Sequence, residues 1–242
     1  MTNLMKAPLL EVIFEIRWNS SSSDEMTKFP FLLGVFRECV KGDFPELEML
    51  MPNPTIPFEA FINNPTHRFW SKNKSYPLLQ IGPGVITVNT IHDAYKWDSY
   101  SKLIQEIGEI LVSRCEFSTS EIVFALKYLD FYPVDPLQVN LYQYLSDNLH
   151  LNIVSNLLEG QQPLTLNFGT AFKSPDGIFN LIVNTAKVGV LQQDGIIVES
   201  NINHSLEGNS FHVLPNWLVK AHDFLSQFFK DMTNGRMYES FK

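Results

Sequence analysis

Residues Pro77–Thr90 read PLLQIGPGVITVNT, and this stretch decides the fold. Two short apolar runs, Leu78–Ile81 and Val85–Val88, flank Gly82-Pro83-Gly84. Glycine reaches positive φ without steric cost, and Pro83 fixes its own φ while removing a donor. Apolar runs on either side of such a turn predict a tight hairpin or a sharply bulged strand. Strands this apolar need cover, and amphipathic stretches stand on both sides of them in the chain.

Upstream, Leu9–Trp18 is the clearest strand. Leu10, Val12, Phe14, Ile16 and Trp18 fall on one face; Glu11, Ile13, Glu15 and Arg17 fall on the other, wetter one. The Ser-rich Asn19–Glu25 reads as a loop. Phe29–Lys41 reads as a helix with Pro30 in its first turn and Leu32, Leu33, Phe36 and Val40 as its stripe. Phe44–Pro65 holds five prolines, Pro45, Pro52, Pro54, Pro57 and Pro65, and predicts an extended crossing segment. His67–Ser71 is a short strand and Lys72–Ser75 a turn into the hairpin.

Downstream, Asp98 caps a helix that runs to about Cys115, with Tyr100, Leu103, Ile104, Ile107, Ile110 and Leu111 buried. Glu121–Asp130 is a strand, with Ile122, Phe124, Leu126 and Tyr128 on one side. Asp135-Pro136 is the strongest internal punctuation. Leu137–Leu149 reads as a helix. Leu164–Phe172, Ile178–Val188 and Ile196–Ile202 read as strands joined by Ser174-Pro175-Asp176-Gly177 and Gln193-Asp194-Gly195. His204–Leu214 is loop, and Asn216 caps a last helix whose apolar face holds Trp217, Ala221, Phe224, Leu225, Phe228 and Met232. The order is β-α-β-β-β-α-β and then α-β-β-β-α. That predicts an α+β fold of antiparallel sheets covered by helices, in two similar-looking halves, 1–134 and 135–242, packed as one unit.

Composition narrows the function. Apolar residues are 45% and charged residues 18% of 242, so the chain is globular. Nineteen Phe suit wide aromatic interfaces between sheet and helix. A net charge of −8 argues against a broad nucleic-acid footprint or an anionic-membrane surface, leaving room for a local basic patch. Cys39 and Cys115 have no metal-type spacing and read as buried, reduced thiols of a cytosolic protein. Met1–Trp18 carries four charges, Lys6, Glu11, Glu15 and Arg17, and does not read as a signal peptide. No apolar run approaches the ~20 residues of a membrane helix.

Catalytic templates are mostly absent: there is no GxSxG, HExxH, Walker loop or GxGxxG. Gly82-Pro83-Gly84 lacks the Lys-Ser/Thr that would make it a phosphate loop. His67, His92, His150, His204, His212 and His222 show no i, i+3 or i+4 pair, so no metal is expected and no cofactor. His204 and His212 share a predicted loop, where surface or capping roles are the simpler reading. His222-Asp223 lies on the last helix: a half-buried imidazole bonded to a neighbouring carbonyl, or an acid–base or contact residue. Glu11 and Glu15 stand roughly 13 Å apart along one strand face. That exceeds the ~5–9.5 Å of a glycosidase carboxylate pair, so a solvated face with cross-strand pairs is expected. His67–Tyr76 interleaves cations with aromatics, and Arg68, Trp70, Lys72 and Lys74 form a candidate site for nucleic acid or a nucleotide.

Several of these motifs resemble a family. Ala7-Pro8-Leu9 followed by Glu11-Val12-Ile13-Phe14-Glu15-Ile16-Arg17 is similar to the opening of a sporadically distributed family of prokaryotic proteins of about this length. Leu78–Gly84 with Val88-Asn89 is similar to its central signature, and Tyr95-Lys96-Trp97 to its next aromatic step. Leu126-Lys127-Tyr128-Leu129-Asp130 resembles a strand where an Arg-Tyr-Ile-Asn-type run is usual, with Lys127 and Asp130 departing from it. Ala221-His222-Asp223 with Phe228 resembles its C-terminal helix. The resemblance implies no activity; the patchy distribution of the family implies accessory roles such as anti-phage defence or mobile-element functions. The function expected is a non-catalytic cytosolic binding or assembly protein with a protein partner and no membrane partner. The rivals are nucleic-acid binding through 67–76 and an enzyme or sensor whose pocket is assembled from residues distant in sequence.

Overall fold

Strand alternation and helical stripes account for most of the architecture. The structure is a computed structural model that describes Leu4 and residues 6–20, 23–53, 55–115, 121–154, 161–207 and 211–242. The chain runs β1 (Leu9–Trp18), α1 (Ser23–Val40), β2 (Glu46–Met49), β3 (His67–Ser71), β4 (Ser75–Gly82) and β5 (Val85–Ile91). It continues through α2 (Trp97–Ser113), β6 (Glu121–Pro133), α3 (Leu141–Leu149), β7 (Asn167–Ser174), β8 (Gly177–Val188), β9 (Gln193–Glu207), α4 (Leu214–Thr233) and α5 (Arg236–Ser240). The strands form a nine-stranded sheet in the order β2-β3-β4-β5-β1-β6-β9-β8-β7, so the α+β class holds.

The central hairpin forms as its glycines require. β4 pairs antiparallel with β5, Gly82 opposite Val85, leaving Pro83-Gly84 as a two-residue turn. Gly84 has φ +83°, and a side chain there would be strained. Gly82 answers to a different demand: a Cβ would lie 1.9 Å from the Asn64 carbonyl oxygen. The backbone before β3 crosses at that point, where the Thr66 N–H donates to the Ile81 carbonyl at 2.9 Å.

The chain divides into two compact units, and β1, β6, β9 and α4 each contribute to both. The larger comprises 11–127 and 203–219, and the smaller 1–10, 128–202 and 220–242. In the larger unit Val12, Phe14 and Ile16 are fully buried, on the face expected. Phe14 packs against Phe124 and Trp217, with ring centroids 6.0 and 6.4 Å apart. The Tyr100 hydroxyl of α2 donates to the Val88 carbonyl at 2.7 Å, fixing that helix over the same face. In the smaller unit Phe179 of β8 lies between Phe224 and Phe228 of α4, at 5.2 and 4.8 Å.

Several boundaries and environments differ from the sequence reading. α1 begins at Ser23 and carries Pro30 in its interior. Met26 and Phe29 are buried and extend the Phe36/Val40 stripe toward the N-terminus, so burial outweighs the proline as a start signal. Residues 21–22 of the expected loop, Pro54, and 208–210 lie outside the described residues. The proline-rich stretch holds a short strand, β2, whose pairing with β3 fits between its prolines. Asp98 and Asn216 stand inside the first turns of α2 and α4 and are not the caps; Lys96 occupies the α2 N-cap. α3 begins at Leu141 because the Asn140 side chain accepts from the backbone N–H groups of Tyr142 and Gln143. β9 runs through His204, so His204 and His212 do not share a loop; His204 stacks on Trp217 at 6.0 Å. Cys39 is exposed near the C-terminal end of α1, whereas Cys115 is partly covered and burial pushes its thiol up to about 12. Both are free thiols.

Candidate functional site: a polar row across the sheet

Antiparallel register places side chains of neighbouring strands in rows, and only same-parity residues share a face. In the larger unit one row reads Glu48, Arg68, Gln80, Thr87 and Glu15, across β2, β3, β4, β5 and β1. Four strand spacings make it about 19 Å long. Lys127 of β6 extends it through an ion pair to Glu15 at 2.9 Å. Phe14, Val88, Leu79 and Phe69 pair across the same strands on the aromatic and aliphatic face, so this row occupies the opposite one, where Thr87 and Glu15 are also buried.

The row is wired by hydrogen bonds. Arg68 donates to Glu48 at 3.4 Å, and Gln80, with its oxygen turned toward the guanidinium, accepts from Arg68 at 3.0 and 3.1 Å. The Thr87 hydroxyl donates to Asn89 at 2.5 Å, and the Asn89 amide donates to Glu11 at 2.7 Å. Arg17 donates to Glu15 at 2.7 Å and to the Asn63 carbonyl at 3.1 Å. Three carboxylates, Glu11, Glu15 and Glu48, thus share the face with three cations, Arg17, Arg68 and Lys127.

Glu15 corrects the sequence reading. Its parity is as expected, but it is buried at 6% exposure and not solvated. Arg17 and Lys127 close over its carboxylate. Burial alone would raise its pKa; the hydrogen bond from Arg17 and the Lys127 charge outweigh burial and hold it below the usual carboxylate range.

The basic and aromatic cluster of β3 lies at one end of this row. Trp70 donates its indole N–H to Glu48 at 2.7 Å, and that bond, ahead of the Arg68 charge, lowers the Glu48 pKa. Arg68 lies over the Trp70 ring, 5.2 Å from its centroid, and Tyr76 meets the ring edge-on at 5.5 Å. Lys72 and Lys74 sit apart from the row, exposed in the short turn Lys72–Lys74, where the Lys74 N–H donates to Glu46.

His222 and Asp223 belong to the smaller unit. His222 is buried on α4, and its Nδ1 shares a 2.8 Å hydrogen bond with the Tyr128 hydroxyl; Asp223 is exposed. Two β6 residues beyond Tyr128 on the same strand face are buried and polar, Asp130 and Tyr132. Burial pushes Asp130 up to about 7, and the Tyr132 hydroxyl has no hydrogen-bond partner among the described residues.

The sequence reading missed Glu48, Gln80, Thr87, Asn89, Lys127 and Asp130. Strand parity was the available signal. Thr87 and Asn89 alternate with Ile86 and Val88, and Asp130 continues the Ile122–Tyr128 face. Among the described residues no group of three His, Cys, Asp or Glu could hold a metal ion. A separate cleft of about 440 Å³ in the larger unit is lined by Gln105, Glu109, Val112, Phe211, His212 and Leu214.

No protein-family model matches this chain, and no curated protein matches it. Among solved structures, the di-domain ARO/CYC BexL from the BE-7585A biosynthetic pathway aligns over 93% of this chain and 99% of its own, at 10% identity and a TM-score of 0.18. That score is too low to assign a shared fold. The class shown is an α+β protein, and the sheet of its larger unit carries an apolar face under α2 and a hydrogen-bonded polar one. Among the described residues no helix is long and apolar enough to cross a membrane.

Proposed function

We propose that the chain is a non-catalytic cytosolic binding protein, and that the polar row takes a protein partner. The observation that carries this reading is the row itself: a six-strand line of paired charges and amides with Trp70 and Tyr76 beside it. The middle of the row, Thr87 and Glu15, is buried, and its partly exposed ends, Glu48 with Arg68 and Arg17 with Lys127, present both signs of charge, which complements another mixed-sign surface better than a polyanion. Trp, Tyr and Arg are also the side chains that most often carry interface energy. The test is affinity capture from an extract of the source cells, with titration of the captured protein. Wild-type chain retains a stoichiometric polypeptide, and Trp70→Ala weakens that complex about 30-fold or more, the equivalent of a 2 kcal/mol hot spot. Unchanged affinity in that variant would remove the row from the interface.

The rival, nucleic acid bound through Arg68, Trp70, Lys72 and Lys74, meets specific obstacles. Arg68 is already engaged by Glu48 and Gln80, and the Trp70 ring is covered on one side by that guanidinium. A net charge of −8 adds long-range repulsion. Fluorescence anisotropy with single-stranded and duplex oligonucleotides at physiological salt is expected to show nothing tighter than the non-specific ~10⁻⁴–10⁻⁶ M. Submicromolar binding that Arg68→Ala, Lys72→Ala and Lys74→Ala together abolish would favour the rival.

A further inference from the structure

The two ends of the sheet are finished differently. At one end β2 is four residues long, and so short an edge offers little to pair with. At the other end β7 is eight residues long, exposed along most of its length, and free of proline. Phe172 on this strand is 54% exposed, and Ile178 at the start of β8 is 52% exposed.

The hydrogen-bond phase of β7 is fixed by its partner. The Thr185 N–H donates to the Leu166 carbonyl at 3.0 Å, so Leu166 and Thr185 are a hydrogen-bonded pair. Such pairs recur at every second residue of an antiparallel ladder. With Asn167 opposite Asn184 and Ser174 opposite Gly177, the even-numbered residues of β7 spend their main-chain groups on β8. Asn167, Gly169, Ala171 and Lys173 therefore turn their N–H and C=O groups outward, in the plane of the sheet.

We propose that β7 is a strand-addition edge through which two copies of this chain pair antiparallel about a two-fold axis, Thr170 opposite Thr170. Only odd residues carry outward main-chain groups, so an odd residue must meet an odd one. Among the registers this allows, the one centred on Thr170 sets Phe168 against Phe172 twice, with the threonine pair between them. Aromatic and Thr–Thr cross-strand pairs are favourable. On the other face Gly169 meets Ala171. Lys173, the one charged residue of the strand, meets Asn167 and not its own copy. The register centred on Ala171 loses both aromatic pairs. The Thr170 register closes as a two-fold interface and forms about eight main-chain hydrogen bonds, two for each closely spaced pair. Its small area makes the dimer a reversible one. This inference is independent of the polar row.

Sedimentation velocity of the full chain from about 1 to 200 µM tests it, because a reversible dimer grows with concentration. Thr170→Lys sets two ammonium groups opposite each other and is expected to weaken the dimer at least tenfold, the effect of about 1.4 kcal/mol. A register readout guards against a general loss of structure. In a Cys39→Ser, Cys115→Ala background, Thr170→Cys under diamide forms an intermolecular disulfide, since its copies face each other across the axis. Lys173→Cys, which faces Asn167, does not. A chain that stays monomeric across the range would overturn the proposal. So would a dimer that is indifferent to Thr170→Lys, or one in which both cysteine variants cross-link equally.

Discussion

Asp130→Asn is expected to stabilise the protein at pH 8 by up to about 4 kcal/mol and to leave it nearly unchanged at pH 4. Asp130 is buried on the inner face of β6, and burial carries its carboxyl from 3.8 to about 7. Below pH 4 the group is protonated whether the chain is folded or not, and it costs nothing. Between about 4 and 7 the folded chain holds a proton that the unfolded chain releases, so stability falls as pH rises. Above about 7 the ionised carboxylate is buried and the full cost is present. The neighbouring Tyr132, its own ionisation driven well up by burial, supplies a neutral hydroxyl and no compensating charge. An asparagine keeps the shape and removes the titration. Urea denaturation of both proteins at pH 4, 6 and 8 checks the sign, and an equal effect at all three would show that Asp130 is not held neutral.

Phe14→Ala is expected to cost about 3–5 kcal/mol. The side chain is fully buried, and its ring is shared between Phe124 and Trp217, which themselves pack at 5.7 Å. Removing it opens a void among rings too large to collapse into it. Denaturant titration measures the loss, and a change under about 1 kcal/mol would put Phe14 outside the core.

These two residues also mark how far the sequence could be read. Phe14 was legible because Val12, Phe14, Ile16 and Trp18 recur at every second position of β1 while Glu11, Glu15 and Arg17 fall between, and a local period of two is all that a face assignment needs. The hairpin was legible from its two short apolar runs, with Gly82-Pro83-Gly84 as the punctuation between them. Pro30 misled the start of α1, since a proline at a first turn and one inside a helix look alike until the burial of Met26 is known. The polar row was not legible. Glu15 and Lys127 stand far apart in the chain, and only the pairing of strands places one beside the other. Asp130 left a faint trace, a carboxyl in phase with an apolar strand face. How strongly it resists ionisation depends on everything packed around it.

The claim that the polar row is the working surface is tested most directly by hydroxyl-radical footprinting of the captured complex. Trp70 and Tyr76 flank the row and are partly exposed, whereas Phe31 of α1 and Leu137 before α3 are exposed elsewhere. Protection of Trp70 and Tyr76, with Phe31 and Leu137 as reactive as in the free chain, is the result the row predicts. Protection confined to Phe31 or Leu137, with Trp70 and Tyr76 still labelled at their free rates, would contradict it.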